Sequence, residues 1–250
     1  MPHIFTTSGK LLSALILFAC LVANAHANPF SKENIGAISD AVKAVTVTDA
    51  DLKDASAQMM AEMDKKNKVA SVKDKYGKRL VNLTKGLANE DGLQLNFKVY
   101  MSDEVNAFAT PDGSIRVFSG LMDIMNDDEL RFIIGHEIGH AKLGHSLNRT
   151  RTAYMASAAA KMAKSSKMEA KTLVDLGEKF VNAQYSQSNE FEADAYGVEF
   201  MKRNKYNLPA AESAMRKLAE MDQGSGGASS IFSTHPDSKT RADRIKAQSK

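Results

Sequence analysis

The strongest chemical signal in this 250-residue chain is Gly135-His136-Glu137-Ile138-Gly139-His140. Residues four apart on a helix share a face, so His136 and His140 can direct both imidazoles at one ion. Glu137 is offset by one position. It can stand beside a zinc ion without completing its shell and act as general base towards water that the metal has made acidic. Phe132, Ile133, Ile134 and Ile138 surround the pair, which predicts a buried helix and rigidly held ligands.

Two histidines do not fill a zinc site. One known spacing completes the set with a glycine three residues and a histidine six residues past the second ligand. Leu143 and Ser146 stand there instead. His145 comes five residues on, ~140° around a continuous helix at ~100° per residue, and is expected to point elsewhere as a structural histidine. Farther along, Glu190 and Asp194 are four apart on an expected helix. Glu190 can complete a His/His/Glu triad, and Asp194 can accept the outer N–H of a zinc histidine and fix its tautomer. Glu192 lies two residues from each and is expected to be solvated. His235-Pro236 follows a Gly/Ser-rich stretch. Its imidazole would either stabilise an oxyanion or take the metal's open position and hold the enzyme latent, a plain loop histidine being the alternative. Arg241 would support either role or be exposed.

The elements that must position these residues read as α+β and mostly helical. Helices are expected over Asp49–Lys65, with Asp49 as cap, and over Val72–Ala88. Leu95, Phe97, Val99 and Met101 alternate with polar neighbours as a half-buried strand. Val105–Ala109 and Ser114–Ser119 read as two strands around the Pro111-Asp112-Gly113 turn. Asn126 or Asp127 caps the helix that carries the histidines, and Gly144 stands near its stop. Further helices are expected over Ala153–Ala163, Thr172–Ala183, Ser188–Lys202, from Pro209, and over Asp237–Ala247, with Gln223–Ser230 as a loop.

Lys10, the apolar run Leu11–Ala23 and Ala25-His26-Ala27 have the three-part layout of a secretory signal, expected over residues 1–27. Residues 28–250 then form one domain with its catalytic core at about 95–245. Cleavage after Ala27 removes Cys20, the one cysteine, and leaves no disulfide. The alternative is lipid anchoring to the outer membrane through Cys20. A formal net charge of +3 on so long a chain gives no nucleic-acid footprint, and no later apolar run reaches spanning length.

Taken together, Asn106-Ala107-Phe108-Ala109, Gly120-Leu121-Met122, the His136–His140 motif, Glu190–Asp194 and His235-Pro236 with Arg241 resemble the gluzincin-type zinc metallopeptidase family that includes HtpX and the CAAX prenyl proteases. In detail they are most similar to its soluble periplasmic LoiP- and BepA-like members. The resemblance implies one Zn2+ per chain on His136, His140 and Glu190, Glu137 as general base, and His235 in the active site. It also implies a zincin-like fold whose small sheet sets an edge strand, Asn106 to Ala109, along the cleft, where an extended peptide adds as a strand. The function expected is a periplasmic endopeptidase acting on misfolded or misassembled envelope proteins. A chaperone-like binder with low or latent proteolysis is the second reading.

Overall fold

The computed structural model describes residues 47–164, 180–225, 231 and 234–248, with side chains 156–164 and 223–225 excepted. The expected signal segment with Cys20, residues 172–179 of the expected Thr172–Ala183 helix and Gly226–Ser230 lie outside the described residues. The chain separates into two compact units. The smaller, Met1–Thr46 with Ala158–Lys167, holds no described side chain. The larger, Val47–Ser157 with Met168–Lys250, carries the sheet and the helices that pack on it.

Three strands form the sheet: β1 (Asn96–Tyr100), β2 (Ala107–Ala109) and β3 (Ser114–Phe118), in the order β1-β3-β2. Thr110 and Gly113 close the β2–β3 hairpin, Gly113 at φ 85 in a conformation that glycine adopts without strain. β1 pairs with β3 in parallel, Val99 opposite Val117, and β2 pairs with it antiparallel, Ala107 opposite Val117. The central strand β3 is buried along its whole length. Val99, Ala107, Ala109, Ile115 and Val117 face the main core. Tyr100, Phe108 and Phe118 face the other way, in edge-to-face contact with one another, and pack with Met59, Met60 and Met63.

Those methionines belong to α1 (Asp49–Lys66), capped by Thr48 with Asp51 in a reciprocal box rather than by Asp49. α1 is fastened to the sheet by one carboxylate. Asp64 accepts two bonds from buried Arg116 at 2.9 Å, one from Lys98 at 2.7 Å and one from the Tyr100 hydroxyl at 2.8 Å. Burial pushes the Asp64 carboxyl up, but these donors, Arg116 first, outweigh it and hold it below its ordinary value. α2 (Lys75–Leu83) is shorter than the periodicity suggests. Asp74 caps it, and Gly86, left-handed at φ 87, starts a 3-10 turn over Leu87–Gly92.

The remaining helices are α3 (Ser119–Ile124), α4 (Asp127–Lys142), α5 (His145–Lys164), α6 (Gln187–Arg203), α7 (Pro209–Ser225) and α8 (Ser238–Gln248). α7 runs past Gln223 into the expected loop. α4 begins at Asn126, whose side chain accepts from the backbone of Asp128 and Glu129 while Glu129 bonds back to the Asn126 N–H. Glu129 also takes Ser213 at 2.5 Å and Lys217 at 2.7 Å, tying the start of α4 to α7. α4 and α6 lie against each other on glycines. A Cβ on Gly135 would stand 2.5 Å from Phe200, and one on Gly197 3.3 Å from the His136 backbone nitrogen. No described helix is long and apolar enough to cross a membrane.

Asp64→Asn should leave the Arg116 charge buried without its counter-ion and cost about 3 kcal/mol near neutral pH, read by urea unfolding. The Asp64 carboxyl is depressed in the fold, so its contribution is complete above the unfolded value of about 4 and fades as pH falls through the folded one. The gap between wild type and variant should therefore close below about pH 4.

Candidate metal centre

α4 presents His136 and His140 one turn apart towards α6, and the glycine contact lets the two backbones approach closely enough for α6 to answer with Glu190 and Asp194. Ser186 caps α6 by accepting from the Asn189 N–H, which places Glu190 in the first turn. Ile231 and Thr234 carry His235 in. Its N–H bonds to the Ile231 carbonyl at 2.8 Å, and the Thr234 carbonyl takes the Tyr185 N–H at 3.1 Å.

These elements bring four donors to one point. His136 Nε2 and His140 Nε2 are 3.0 Å apart. Glu190 Oε1 lies 3.3 Å from His140 Nε2, and Oε2 lies 3.7 Å from His136 Nε2. His235 Nδ1 is 3.4 Å from His136 Nε2 and 3.1 Å from Glu190 Oε1. All four residues are buried. Glu137 stands at the margin, its Oε1 3.7 Å from His235 Nε2. Its Oε2 and His235 Nε2 are both buried without a hydrogen-bond partner among the described residues.

Behind the donors lies a charged layer. Asp194 Oδ1 sits 3.0 Å from His136 Nδ1. Arg241, on α8, grips both Asp194 oxygens at 2.7 and 2.8 Å and reaches Glu190 Oε2 at 2.5 Å. The guanidinium is therefore buried and paired rather than exposed. Burial pushes the Glu190 and Asp194 carboxyls up. The neighbouring charges prevail, with His235 and then Arg241 holding Glu190 well below the usual carboxylate range and Arg241 holding Asp194 down. Burial also lowers His140, well below an ordinary imidazole, with His136 adding to the effect. His136 is raised despite burial by its bond to Asp194.

The arrangement fits a cation. With the Nδ1 protons of both motif histidines directed outward, their Nε2 atoms are bare lone pairs at 3.0 Å, facing a carboxylate and a third imidazole. Lone pairs so close repel unless a cation lies between them. Ligands about 2.0–2.1 Å from a tetrahedral zinc lie roughly 3.3 Å from one another, inside the range seen here. Three buried carboxylates, Glu137, Glu190 and Asp194, stand against one buried guanidinium, Arg241, which pairs with the last two, so the pocket also has charge for a divalent ion.

One expectation fails, at His145. α4 ends at Lys142 and Gly144 turns left-handed at φ 76, so the helical angle from His140 no longer applies. His145 opens α5 and points back, its Nδ1 3.1 Å from His140 Nδ1, while its Nε2 meets Glu192 Oε2 at 3.2 Å. Glu192 stays half-exposed but is engaged. Sequence reasoning also missed Tyr185, which stacks on His140 at 3.8 Å and 15°. No spacing signals it, because it reaches the site from the segment before α6. Burial pushes its hydroxyl up to about 12. A cavity of about 430 Å³ opens beside Tyr185 and His145, with Arg149 and Asn189 in its wall.

Asn106 to Ala109 form and flank β2, the edge strand that packs on α4. The Phe118 N–H bonds to the Asn106 carbonyl, and Phe108 pairs with Arg116, so the peptide groups of Ala107 and Ala109 turn to the other edge. The Ala107 N–H there is taken by the Asn106 side-chain oxygen, leaving Asn106 Nδ2 buried with no partner among the described residues.

Comparison with known proteins agrees in character with this geometry. The family model described as Peptidase family M48 matches residues 75–249. The chain is 39% identical over 245 residues to Metalloprotease YcaL of Escherichia coli (strain K12), covering 95% of this chain and 96% of that protein. It is 38% identical over 214 residues to Metalloprotease LoiP of the same organism, covering 83% and 84%. A Beta-barrel assembly-enhancing protease of Yersinia pestis is 26% identical over 197 residues, covering 68% and 38%.

Stripping the metal should expose the lone-pair repulsion as lost stability. Zinc at ~100 times its dissociation constant contributes about 2.7 kcal/mol, so chelation should lower Tm by roughly 5–10 °C, with recovery on adding zinc. A chain carrying both His136→Gln and His140→Gln should melt at the same temperature with and without chelator.

Proposed function

Because the chain belongs to peptidase family M48, we propose that His136, His140 and Glu190 hold its catalytic zinc and that Glu137 is the general base. The protein is a zinc metalloendopeptidase acting on protein substrates, as its metalloprotease relatives are named. The observation that carries the residue assignment is the meeting of three side chains from α4 and α6 at one buried point, with an unpartnered Glu137 oxygen beside it.

Zinc, when bound, supplies Lewis acidity that acidifies water towards neutrality and polarises a scissile carbonyl. The protein's own share is orientation and proton handling. Glu137 Oε2 accepts the proton of the attacking water and returns it to the leaving amine. Asp194 and Arg241 keep His136 turned with Nε2 inward. The edge of β2 aligns an extended peptide through main-chain bonds, and Asn106 Nδ2 offers one more donor to it. Alignment through the backbone makes little demand on sequence, which suits unfolded clients.

The setting proposed is the periplasm. Lys10, Leu11–Ala23 and Ala25-His26-Ala27 support export with a leader over residues 1–27, the metallopeptidase domain following over 28–250. Lipid attachment through Cys20 is the competing arrangement. Misassembled envelope proteins are the proposed clients, in keeping with a relative named for enhancing β-barrel assembly.

A second reading concerns restraint. His235 places Nδ1 among the donors, 3.1 Å from Glu190, where it would serve as a further ligand to a bound zinc in the place that catalysis needs for water. The enzyme is then latent until the segment carrying His235 withdraws, and binding of clients dominates over cleavage.

Glu137→Gln should retain stoichiometric zinc, by metal analysis, and lose ~10²–10⁴-fold in turnover of a casein substrate; undiminished proteolysis would remove Glu137 from its role. Full rescue of a deletion strain's envelope defects by that variant would favour the binder. His235→Ala should raise peptide hydrolysis if the imidazole is a latch. A fall would assign it to the oxyanion, and no change would reject both.

A further inference from the structure

His140 is held differently from His136. Behind His136 stands a carboxylate, Asp194, at 3.0 Å. Behind His140 stands another imidazole, with the two Nδ1 atoms of His140 and His145 3.1 Å apart. Across such a contact one nitrogen carries the proton and the other a lone pair, since two protons or two lone pairs would repel. The far side of His145 decides which. Its Nε2 meets Glu192 Oε2 at 3.2 Å, and an ionised carboxylate only accepts, so the His145 proton sits on Nε2 and its Nδ1 is bare. His140 must then donate from Nδ1, which leaves its Nε2 lone pair towards the donor cluster.

We propose that Glu192, His145 and His140 form a carboxylate–imidazole–imidazole chain that sets the tautomer and in-plane orientation of His140 as a metal ligand, making His145 a positioning residue. This rests on the reading that His140 binds zinc. The chain divides its work with Tyr185. The stacked phenol ring, 3.8 Å away at 15°, fixes the plane of the His140 ring; the bond from Nδ1 fixes its rotation within that plane. Glu192 is itself steadied by the Ser188 hydroxyl, which donates to Oε1 at 3.0 Å from one turn earlier on α6. The left-handed Gly144 lets the backbone double back between the two histidines. His145 is 5% exposed, while the carboxylate that ends the chain reaches the surface.

The test uses zinc-loaded protein competed against a chromogenic chelator, in wild type and in His145→Phe, His145→Asn and Glu192→Ala variants. Phe fills the space but offers no acceptor, whereas the Asn side-chain oxygen stands where Nδ1 stood. The chain predicts that His145→Phe weakens zinc about 10–100-fold while His145→Asn stays within roughly threefold of wild type. In cobalt-substituted protein the visible band should move in His145→Phe and hold in His145→Asn. Glu192→Ala, at a half-exposed position that folding does not need, should weaken zinc severalfold. A packing role predicts the reverse order, with Phe tolerated and Asn harmful, and that order would overturn the proposal, as would wild-type affinity in all three variants. A wild-type protein that takes up no stoichiometric zinc would overturn the ligand assignment itself and this inference with it.

Discussion

Everything in this structure serves to hold mutually repelling groups together in a dry place. With their Nδ1 protons directed outward, His136 and His140 turn bare nitrogens at each other across 3.0 Å with a carboxylate alongside, an arrangement that a cation relieves. It persists because the helices bearing those groups are fixed by other contacts. The capping box at Asn126 and the bonds from α7 to Glu129 anchor the start of α4, and the glycine contact with α6 fixes their separation. Arg241 then ties Asp194 and Glu190 into one unit, so the orientation of His136 and the position of Glu190 depend on a single guanidinium. Cost and use coincide, because an unrelieved cluster of donors is what a cation binds.

The sheet's part is indirect. β3 is covered on both faces, by the main core on one side and α1 on the other, and so cannot bend towards the site. What it offers is a fixed neighbour for β2, which packs on α4. A donor cluster built from two helices and one connecting segment thereby has a β-strand for a neighbour without taking any side chain from the sheet. The network at Asp64 secures the sheet from behind.

Much of this was legible in the residues. Spacing of four on a helix depends only on backbone geometry, so His136 with His140 and Glu190 with Asp194 can be paired before any fold is known. The β2–β3 hairpin follows from Pro111-Asp112-Gly113 for the same local reason, and the family resemblance is carried by short motifs of this kind. Legibility ended where the chain left regular geometry. Gly144 breaks the helix between His140 and His145, and an angle counted across the break misplaces the second ring. Tyr185 and Arg241 act at a distance in sequence, and no local pattern announces what they touch. The early end of α2 likewise turned on Asp74 and Gly86, two punctuating residues inside an otherwise helical pattern.

Arg241 lies 105 residues beyond His136, and the four donors are drawn from two separate helices and the segment before α8. During synthesis the histidine motif is therefore made long before its counterparts. Until residues 235 to 241 have been polymerised, Glu190 and Asp194 lack the cation that stabilises them as anions in an apolar interior. A nascent chain therefore holds an unfinished donor cluster, which is completed only when α8 has been made.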